Sequence, residues 1–244
     1  MKISIITISF NAKSTIEKTL QSVANQSYKN IEHIIVDGGS KDNTLEICNS
    51  FPHVSKIKSE PDNGVYDAFN KGLKLATGDI IGFLNADDVF FYENSVQEIA
   101  KTFSDNKTDI VYGDLNYINE NGKVIRNWIS RPYEIGLIKK AWMPAHPTFY
   151  CKKAVYDRLG GYNDSFEIGG DFELCLRFLE VYKVPSVYLN KKLVKMLVGG
   201  ISNRDLLSKW IIFKEQLRAF KINKIKVNPI QFIVFKLQKL NQFF

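Results

Sequence analysis

Three short acidic stretches carry the residues best suited to chemistry. The first is an apolar run that ends in acid, Asp79-Ile80-Ile81-Gly82-Phe83-Leu84-Asn85-Ala86-Asp87-Asp88. Ile80, Ile81, Phe83 and Leu84 read as a strand buried on both faces, as central parallel strands are. Ligand crevices of α/β sheets open at the carboxyl ends of such strands. Carboxylates placed there suit a hard divalent cation, and Mg2+ or Mn2+ usually takes one or two of them with substrate phosphates as further ligands. The competing reading makes Asp87 or Asp88 a cap of the next helix. The second stretch sets Asp37 at the end of another apolar run, before Gly38-Gly39. A carboxylate only accepts hydrogen bonds, which suits a nucleobase N–H, and the glycines permit close backbone approach and positive φ. Asp37 could equally initiate a helix. Gly38-Gly39 does not match the GxGxxG of a dinucleotide site. The third stretch is Gly169-Gly170-Asp171-Phe172-Glu173, where Asp171 opens a predicted helix as its N-cap, as a reactive carboxylate, or as both.

Positioning such residues takes a scaffold, and the first half of the chain supplies one. Ile3–Ile8 reads as a strand; Ser14 then opens a helix with Glu17 as a capping box, its core face being Ile16, Leu20, Val23 and Ala24. Ile31–Val36 is a second strand, followed by a helix with Leu45, Ile47, Cys48 and Phe51 inward. A third strand near Val54–Ile57 leads into a helix carrying Val65, Phe69, Leu73 and Ala76. The β-α-β-α-β-α-β alternation predicts a parallel sheet wound by right-handed crossovers. Further on, the pattern predicts a helix around Ser95–Phe103, a strand at Asp109–Gly113, and a hairpin at Asn121-Gly122. It also predicts an extended segment from Met143 to Tyr150 and helices at Lys153–Leu159 and Asp171–Tyr182. No repeat or Pro/Gly-rich linker is present, so one domain plus a tail is expected.

Several motifs together resemble a known family. Ile3–Asn11, Val36-Asp37-Gly38-Gly39-Ser40-Lys41-Asp42-Asn43-Thr44, Asn70-Lys71-Gly72, Asn85-Ala86-Asp87-Asp88, and Gly161-Tyr162 with Gly170-Asp171-Phe172-Glu173 occur in the order seen in family 2 glycosyltransferases, over roughly residues 1–200. The resemblance is to enzymes of bacterial capsule and O-antigen polysaccharide synthesis. It implies the GT-A fold, a Rossmann-like, mostly parallel sheet flanked by helices, in a domain spanning 1–202. The nucleotide-binding half would be about 1–115 and the acceptor-side half about 116–202. It also implies an EC 2.4 hexosyltransferase-type activity: sugar transfer from a nucleotide diphosphate sugar, a UDP-sugar if Asp37 reads uracil N3–H, with a divalent metal (Mn2+ or Mg2+) and inversion.

Carried over residue by residue, the resemblance gives Asp37 the nucleobase. Thr7, Ser9, Asp62, Lys71, Asn85, Ala86 and Asp87 complete the donor site. Asp87 matches the metal-binding carboxylate, with Asp88 as a weaker alternative or an acceptor behind it. Asn85 stands where Asp is common; its amide can still bond a ribose hydroxyl but adds no charge to a metal site. Asp171 matches the general base. Direct displacement through an oxocarbenium-like state needs the acceptor hydroxyl deprotonated on the face opposite the leaving group, work that one carboxylate can do. A helix N-terminus would lower its pKa and weaken it. Glu173 is the alternative base, and His146 either faces phosphates or acceptor or is structural. Trp142, Tyr150 and Tyr162 stack on a sugar or, more simply, fill the core.

Charge separates the tail from the rest. The 244 residues carry a net charge of +7, yet residues 1–202 hold 24 basic and 24 acidic side chains, while 203–244 hold nine and two. In the tail, Leu206, Leu207, Trp210, Ile211, Phe213, Leu217 and Phe220 alternate with bases, and after Pro229 so do Ile233, Val234, Phe235, Leu237, Leu240, Phe243 and Phe244. Such basic amphipathic helices either lie on an anionic membrane surface, which suits a lipid-linked glycan acceptor, or pack on the domain or a second subunit. Nucleic acid fits poorly, since large apolar residues interrupt the lysines. No apolar run is long enough for a transmembrane helix, and Met1-Lys2 followed by a β-like run is not a signal peptide. Cys48, Cys151 and Cys175 form no CxxC, which fits a reducing cytosol, here at the inner face of the plasma membrane. Two rival functions remain. A nucleotidyltransferase would want a Gly-rich phosphate loop where Ser9-Phe10-Asn11-Ala12 stands, and a non-catalytic sugar-nucleotide or glycan binder is suggested by Asn85.

Overall fold

The computed structural model describes residues 1–199 and 206–240. Its strands are β1 (Ile3–Ser9), β2 (Ile31–Asp37), β3 (Val54–Ser59), β4 (Ile80–Phe83), β5 (Val89–Phe90), β6 (Ile110–Ile118), β7 (Val124–Trp128), β8 (Tyr150–Lys152) and β9 (Ser186–Leu197). They form one sheet in the order β3-β2-β1-β4-β8-β6-β9-β5, with β7 on β6. The β1, β2, β3 and β4 pairings are parallel, as is β6 with β9, so most of the ladder is parallel. The short β8 joins the halves by antiparallel pairing to β4 and β6.

Helices α1 (Ile16–Ala24), α2 (Thr44–Asn49) and α4 (Ser95–Asp105) cover one face, and α3 (Val65–Leu75), α5 (Lys153–Leu159), α6 (Gly170–Cys175), α7 (Leu206–Ile222) and α8 (Pro229–Leu240) serve the other. The period of two along a strand dictates the division. Ile6, Ile34, Val36, Ile81 and Phe83 point into the core of the second group, while Ile3, Ile5 and Ile80 join Val96, Ile99 and Phe103 of α4. The expected α/β architecture is therefore what the chain adopts. Asn121-Gly122 makes the β6–β7 hairpin turn, with Gly122 at φ 76°.

Three local expectations need correction. The first helix starts at Ile16 behind Thr15, and no capping box forms. The preceding loop is tied instead to the turn after β2: Asn11, Ala12 and Lys13 N–H donate to Ser40 Oγ, Thr44 Oγ1 and Asp42 Oδ2 at 2.8, 2.8 and 3.2 Å. Met143–Tyr150 is not extended throughout, because a 3-10 turn at His146–Thr148 is fixed by Thr148 Oγ1 bonding Ala145 and Gly113 carbonyls at 2.7 and 3.0 Å. The last helix of the domain widens into π turns over Leu176–Val181.

At Gly82 the sheet has no room for a side chain. A Cβ there would lie 2.1 Å from Tyr150 Cε1, and Tyr150 is fully buried. Gly82→Ala is expected to destabilise the fold by about 1–3 kcal/mol, the usual cost of overpacking, measured by urea unfolding.

The tail splits between two uses. Ala219, Phe220 and Phe232 are buried in the main core, with the Phe220 ring 5.5 Å from Phe172 and 5.3 Å from Phe232. Leu207, Trp210, Ile230, Ile233 and Val234 stay exposed. Asn203 and the side chains of Leu206, Leu237, Lys239, Leu240, Phe243 and Phe244 lie outside the described residues.

Candidate active site

Because β1, β2 and β4 are parallel neighbours, their carboxyl ends share one edge. The register sets Ser9 beside Asp37 and brings the residues after Phe83 next to them. Asp37 is fully buried there, and its carboxylate is saturated. Oδ1 accepts Ser9 Oγ (3.1 Å) and Ser40 Oγ; Oδ2 accepts Gly39 N (3.1 Å), Ser40 N (2.8 Å) and Ser59 Oγ (2.8 Å). Burial opposes its ionisation, but the bonds from Ser40, Ser59 and Ser9 outweigh it and hold the carboxyl below its ordinary range. With its acceptor capacity taken up by these bonds, Asp37 shapes the loop in this structure.

The loop it shapes is closely packed. Gly39 has φ 84°, and a Cβ on Gly38 would meet Asp62 Oδ2 at 2.5 Å. The carboxylate over the glycine loop is thus Asp62, whose Oδ1 accepts Gly64 N at 3.0 Å. Lys71 buttresses the same segment: Nζ bonds Pro61 O at 2.8 Å and pairs with Glu60 and Asp67 at 3.3 and 3.1 Å. It fixes the Asp62 loop and is already ion-paired. Thr7 is corrected. It shares a strand face with Ser9 but sits one rung lower, fully buried, with Oγ1 3.0 Å from His33 Nε2.

Asn85–Asp88 forms a turn at the end of β4, closed by Asp88 N donating to Asn85 O (3.0 Å) and by Thr19 Oγ1 donating to Asp88 O (2.8 Å). Neither aspartate caps a helix, since β5 follows and α4 begins at Ser95 behind Asn94. Asp87 is half-buried, and burial pushes its carboxyl up. Asp88 is fully buried and accepts Asn85 Nδ2 at 3.3 Å; burial first and Asp87 second raise its carboxyl. Ala86 is buried at this turn. Asn85 Oδ1 and Asp88 Oδ1 are buried with no protein partner. Orphaned oxygens of this kind signal a missing ligand. Beside Asp87 they make an oxygen donor set that fits a hard cation. Among the described residues no group of three or more His, Cys, Asp or Glu could hold a metal, so further ligands would have to come from substrate phosphates, as is usual for Mg2+.

Asp171 approaches from the acceptor-side half. It is the second residue of α6, not the N-cap, which is Gly169. Its Oδ1 accepts Phe172 N at 2.7 Å, and its own N–H donates to Tyr66 Oη at 3.3 Å. Contrary to the expected lowering, its carboxyl is pushed up to about 6, chiefly by burial, with Glu215 adding to it. Tyr117 on β6 feels the charge of both Asp88 and Asp171. Burial raises its phenol, Arg126 opposes, and both Asp88 and Asp171 add to the rise, so both carboxylates lie within electrostatic reach of one side chain. Tyr117 stacks on Trp128 (centroids 6.2 Å apart), and the Arg126 guanidinium lies 5.4 Å from the Tyr117 ring.

On the acceptor side, the Glu173 expectation is corrected and His146 takes its structural alternative. Glu173, two residues from Asp171, is 2% exposed and accepts Nε and Nη2 of Arg177 at 2.9 and 3.1 Å plus Asn223 Nδ2 at 3.0 Å. Residues i and i+2 of a helix do not share a face, so Glu173 staples the fold instead of facing a substrate. His146 packs among Phe69, Phe83 and Tyr162, with Nε2 2.6 Å from Tyr162 Oη, and burial pushes its imidazole down to about 4. It is a neutral member of an aromatic cluster. Trp142, Tyr150 and Tyr162 are core residues.

Other residues at the site carried no sequence signal that was used: Tyr66, Tyr117, Arg126, Trp128 and Glu215. Glu215 did leave one, as one of two acids in a tail with nine bases. Two recesses of about 370 Å3 each are present, and neither is lined by Ser9, Asp62, Asp87 or Asp171.

Comparison with known proteins bears on the family and the fold. A family model described as glycosyl transferase family 2 matches residues 4–162. A PGL/p-HBAD biosynthesis glycosyltransferase of Mycobacterium bovis is 28% identical over 225 residues, covering 90% of this chain and 84% of that one. Among solved structures, S. aureus TarS residues 1–349 in complex with UDP-GlcNAc superposes with TM-score 0.71 at 17% identity, covering 99% of this chain and 72% of that chain. A mannosyltransferase of Pyrobaculum calidifontis in complex with GDP-Man and Mn2+ gives TM-score 0.68 at 17% identity, covering 97% and 68%.

Proposed function

The chain belongs to glycosyl transferase family 2 and is a glycosyltransferase, and from that premise we propose that it moves a sugar from a nucleotide diphosphate sugar, a UDP-sugar, to a hydroxyl of a lipid-linked glycan, with inversion. The rival readings as nucleotidyltransferase or inert binder give way to the family membership. One observation carries the reaction type. Asp88, next to Asp87 at the end of β4, and Asp171, pushed up to about 6, are separate acidic groups that both act on Tyr117. Asp171 takes the proton of the acceptor hydroxyl as it attacks. Ser9, Asp62 and Asn85 orient the donor, and Asp62 replaces Asp37 as the carboxylate for the base. Asp87, with Asn85 Oδ1 and Asp88 Oδ1 close by, would hold Mn2+ or Mg2+, which supplies neutralisation of the diphosphate leaving group. The UDP-GlcNAc and the GDP-Man in the structural neighbours support a nucleotide-sugar donor. A thermal-shift panel of nucleotide diphosphate sugars with and without Mn2+, followed by transfer assays on lipid-linked acceptors, tests this. Failure of every such sugar to stabilise the protein or to turn over would overturn it.

We further read the exposed face of the 203–244 tail as a membrane-contacting surface at the cytosolic face, while Ala219, Phe220 and Phe232 join the tail to the core of the 1–202 transferase unit. Among the described residues no helix is long and apolar enough to cross a membrane, so contact would be peripheral, through exposed Trp210, Ile230, Ile233 and Val234 with the tail lysines. Deleting residues 223–244 would also remove core Phe232, so point changes are the cleaner test. The doubly substituted Ile230→Glu, Ile233→Glu protein is expected to float at least tenfold less with anionic vesicles than wild type, at about 0.8 kcal/mol per CH2 no longer buried. Equal flotation would count against membrane contact.

A further inference from the structure

The segment leading into α6 is held by a residue some 46 positions away in sequence. Glu215, in the middle of α7, accepts the backbone N–H groups of Glu167, Ile168 and Gly169 at 2.7, 2.9 and 2.7 Å. These residues end two positions before Asp171, and Gly169 is the α6 N-cap, which has no side chain of its own to bond the amides. The grip is close: a Cβ on Gly169 would meet Glu215 Cβ at 2.9 Å, and a Cβ on Gly170 would meet the Tyr66 ring at 2.8 Å. Neighbouring contacts reinforce it. Arg218, one turn along α7, donates to Ser165 O (2.9 Å) and Oγ (2.8 Å), with its guanidinium 4.7 Å from the Phe166 ring centroid. Tyr66 Oη donates to Ile168 O at 2.5 Å and accepts Asp171 N. Every contact fixes the backbone on which Asp171 is carried, and the principal one comes from the tail.

We propose that Glu215 is a positioning residue for glycosyl transfer: it clamps the 167–169 backbone so that Asp171 meets the acceptor hydroxyl, which makes α7 part of the active site. This rests on the reading of Asp171 as the base. A neutral acceptor could hold the same amides. The carboxylate adds a negative charge near Asp171, where the other titratable groups in reach are Tyr66 of α3, Tyr117 of β6, Tyr162 and Cys175. Beside these groups, the Glu215 carboxylate adds to the rise of the Asp171 carboxyl and so supports proton uptake by the base.

The test is Glu215→Gln, which keeps the shape, halves the acceptor capacity and removes the charge. A base displaced by about 1 Å costs up to about 10²-fold, so kcat is expected to fall about 10- to 100-fold with donor KM within about twofold. The acidic limb of the kcat–pH profile should move to lower pH, because a base relieved of a neighbouring anion ionises earlier. Glu215→Asp keeps the charge but shortens the reach; it should lower kcat and leave the limb in place. If Glu215→Gln does not fold, Glu215→Asp carries the test alone, and a wild-type kcat there overturns the proposal. A Glu215→Gln protein with wild-type kcat and an unmoved limb also overturns it. Asp171→Asn is assayed alongside. Turnover by that variant defeats the reading of the base, whereas its inactivity beside a fully active Glu215→Gln defeats the clamp alone.

Discussion

The Asp171→Asn protein is expected to bind donor within about twofold of wild type and to transfer sugar about 10²–10⁴-fold more slowly, the usual worth of general-base catalysis. The amide has nearly the same shape and can still accept Phe172 N, so the geometry of α6 should persist. It cannot take a proton. The pH dependence follows with a definite sign. The base works ionised, so wild-type kcat should rise as pH passes through about 6 and level off above it. Stability runs the other way. A carboxyl raised above its unfolded value of 3.8 contributes most when protonated, and that contribution is present below 3.8 and lost as pH rises through about 6. At neutral pH the Asn variant should therefore melt no lower than wild type. Calorimetric donor titration, initial rates across pH 5–8 and thermal melting measure the three quantities. Near-normal turnover would show that another group accepts the proton.

The same residues show how much the sequence disclosed. Strands buried on both faces appear as apolar runs, which made β1, β2 and β4 and the helices between them readable from Ile3 to Leu84. The second half resisted because its elements are short or irregular. Strand β8 has three residues, and His146–Thr148 folds into a tight turn through Thr148 bonds to residues close and distant in sequence. At the site, residue types and strand ends were legible, but side-chain partners were not. Nothing local says that Ser9, Ser40 and Ser59, from three separate segments, would saturate Asp37. Asp171 and Glu173 are equally acidic in print, and only the turn of the helix gives one the Phe172 amide and sends the other into Arg177. Glu215 was hidden by distance along the chain. The tail read as an appendage because its charge pattern is obvious and its tertiary contacts are not.

Asp87→Asn should be the other near-null variant, and it separates the metal's contribution from the base's. Asp87 is half-buried at the end of β4, unlike Asp88, which is fully enclosed and already accepts the Asn85 amide. The more open carboxylate is the one able to share a cation with a diphosphate. Lewis-acid stabilisation of a transition state is worth several kcal/mol, and each 1.36 kcal/mol is tenfold in rate, so kcat/KM should fall about 10²–10³-fold at a Mn2+ concentration that saturates wild type. The additional thermal stabilisation that Mn2+ gives in the presence of donor should vanish, while any metal-free donor binding through Ser9 and Asp62 stays. Asn85→Asp tests the same idea in the opposite direction. It places a second charge beside the orphaned Asp88 Oδ1, and half-maximal activity should then need less Mn2+. The two variants must diverge if one cation sits between them. Unchanged Mn2+ dependence in both would mean that the oxygens at the end of β4 hold a sugar or ribose hydroxyl and that the leaving group is neutralised by cationic side chains.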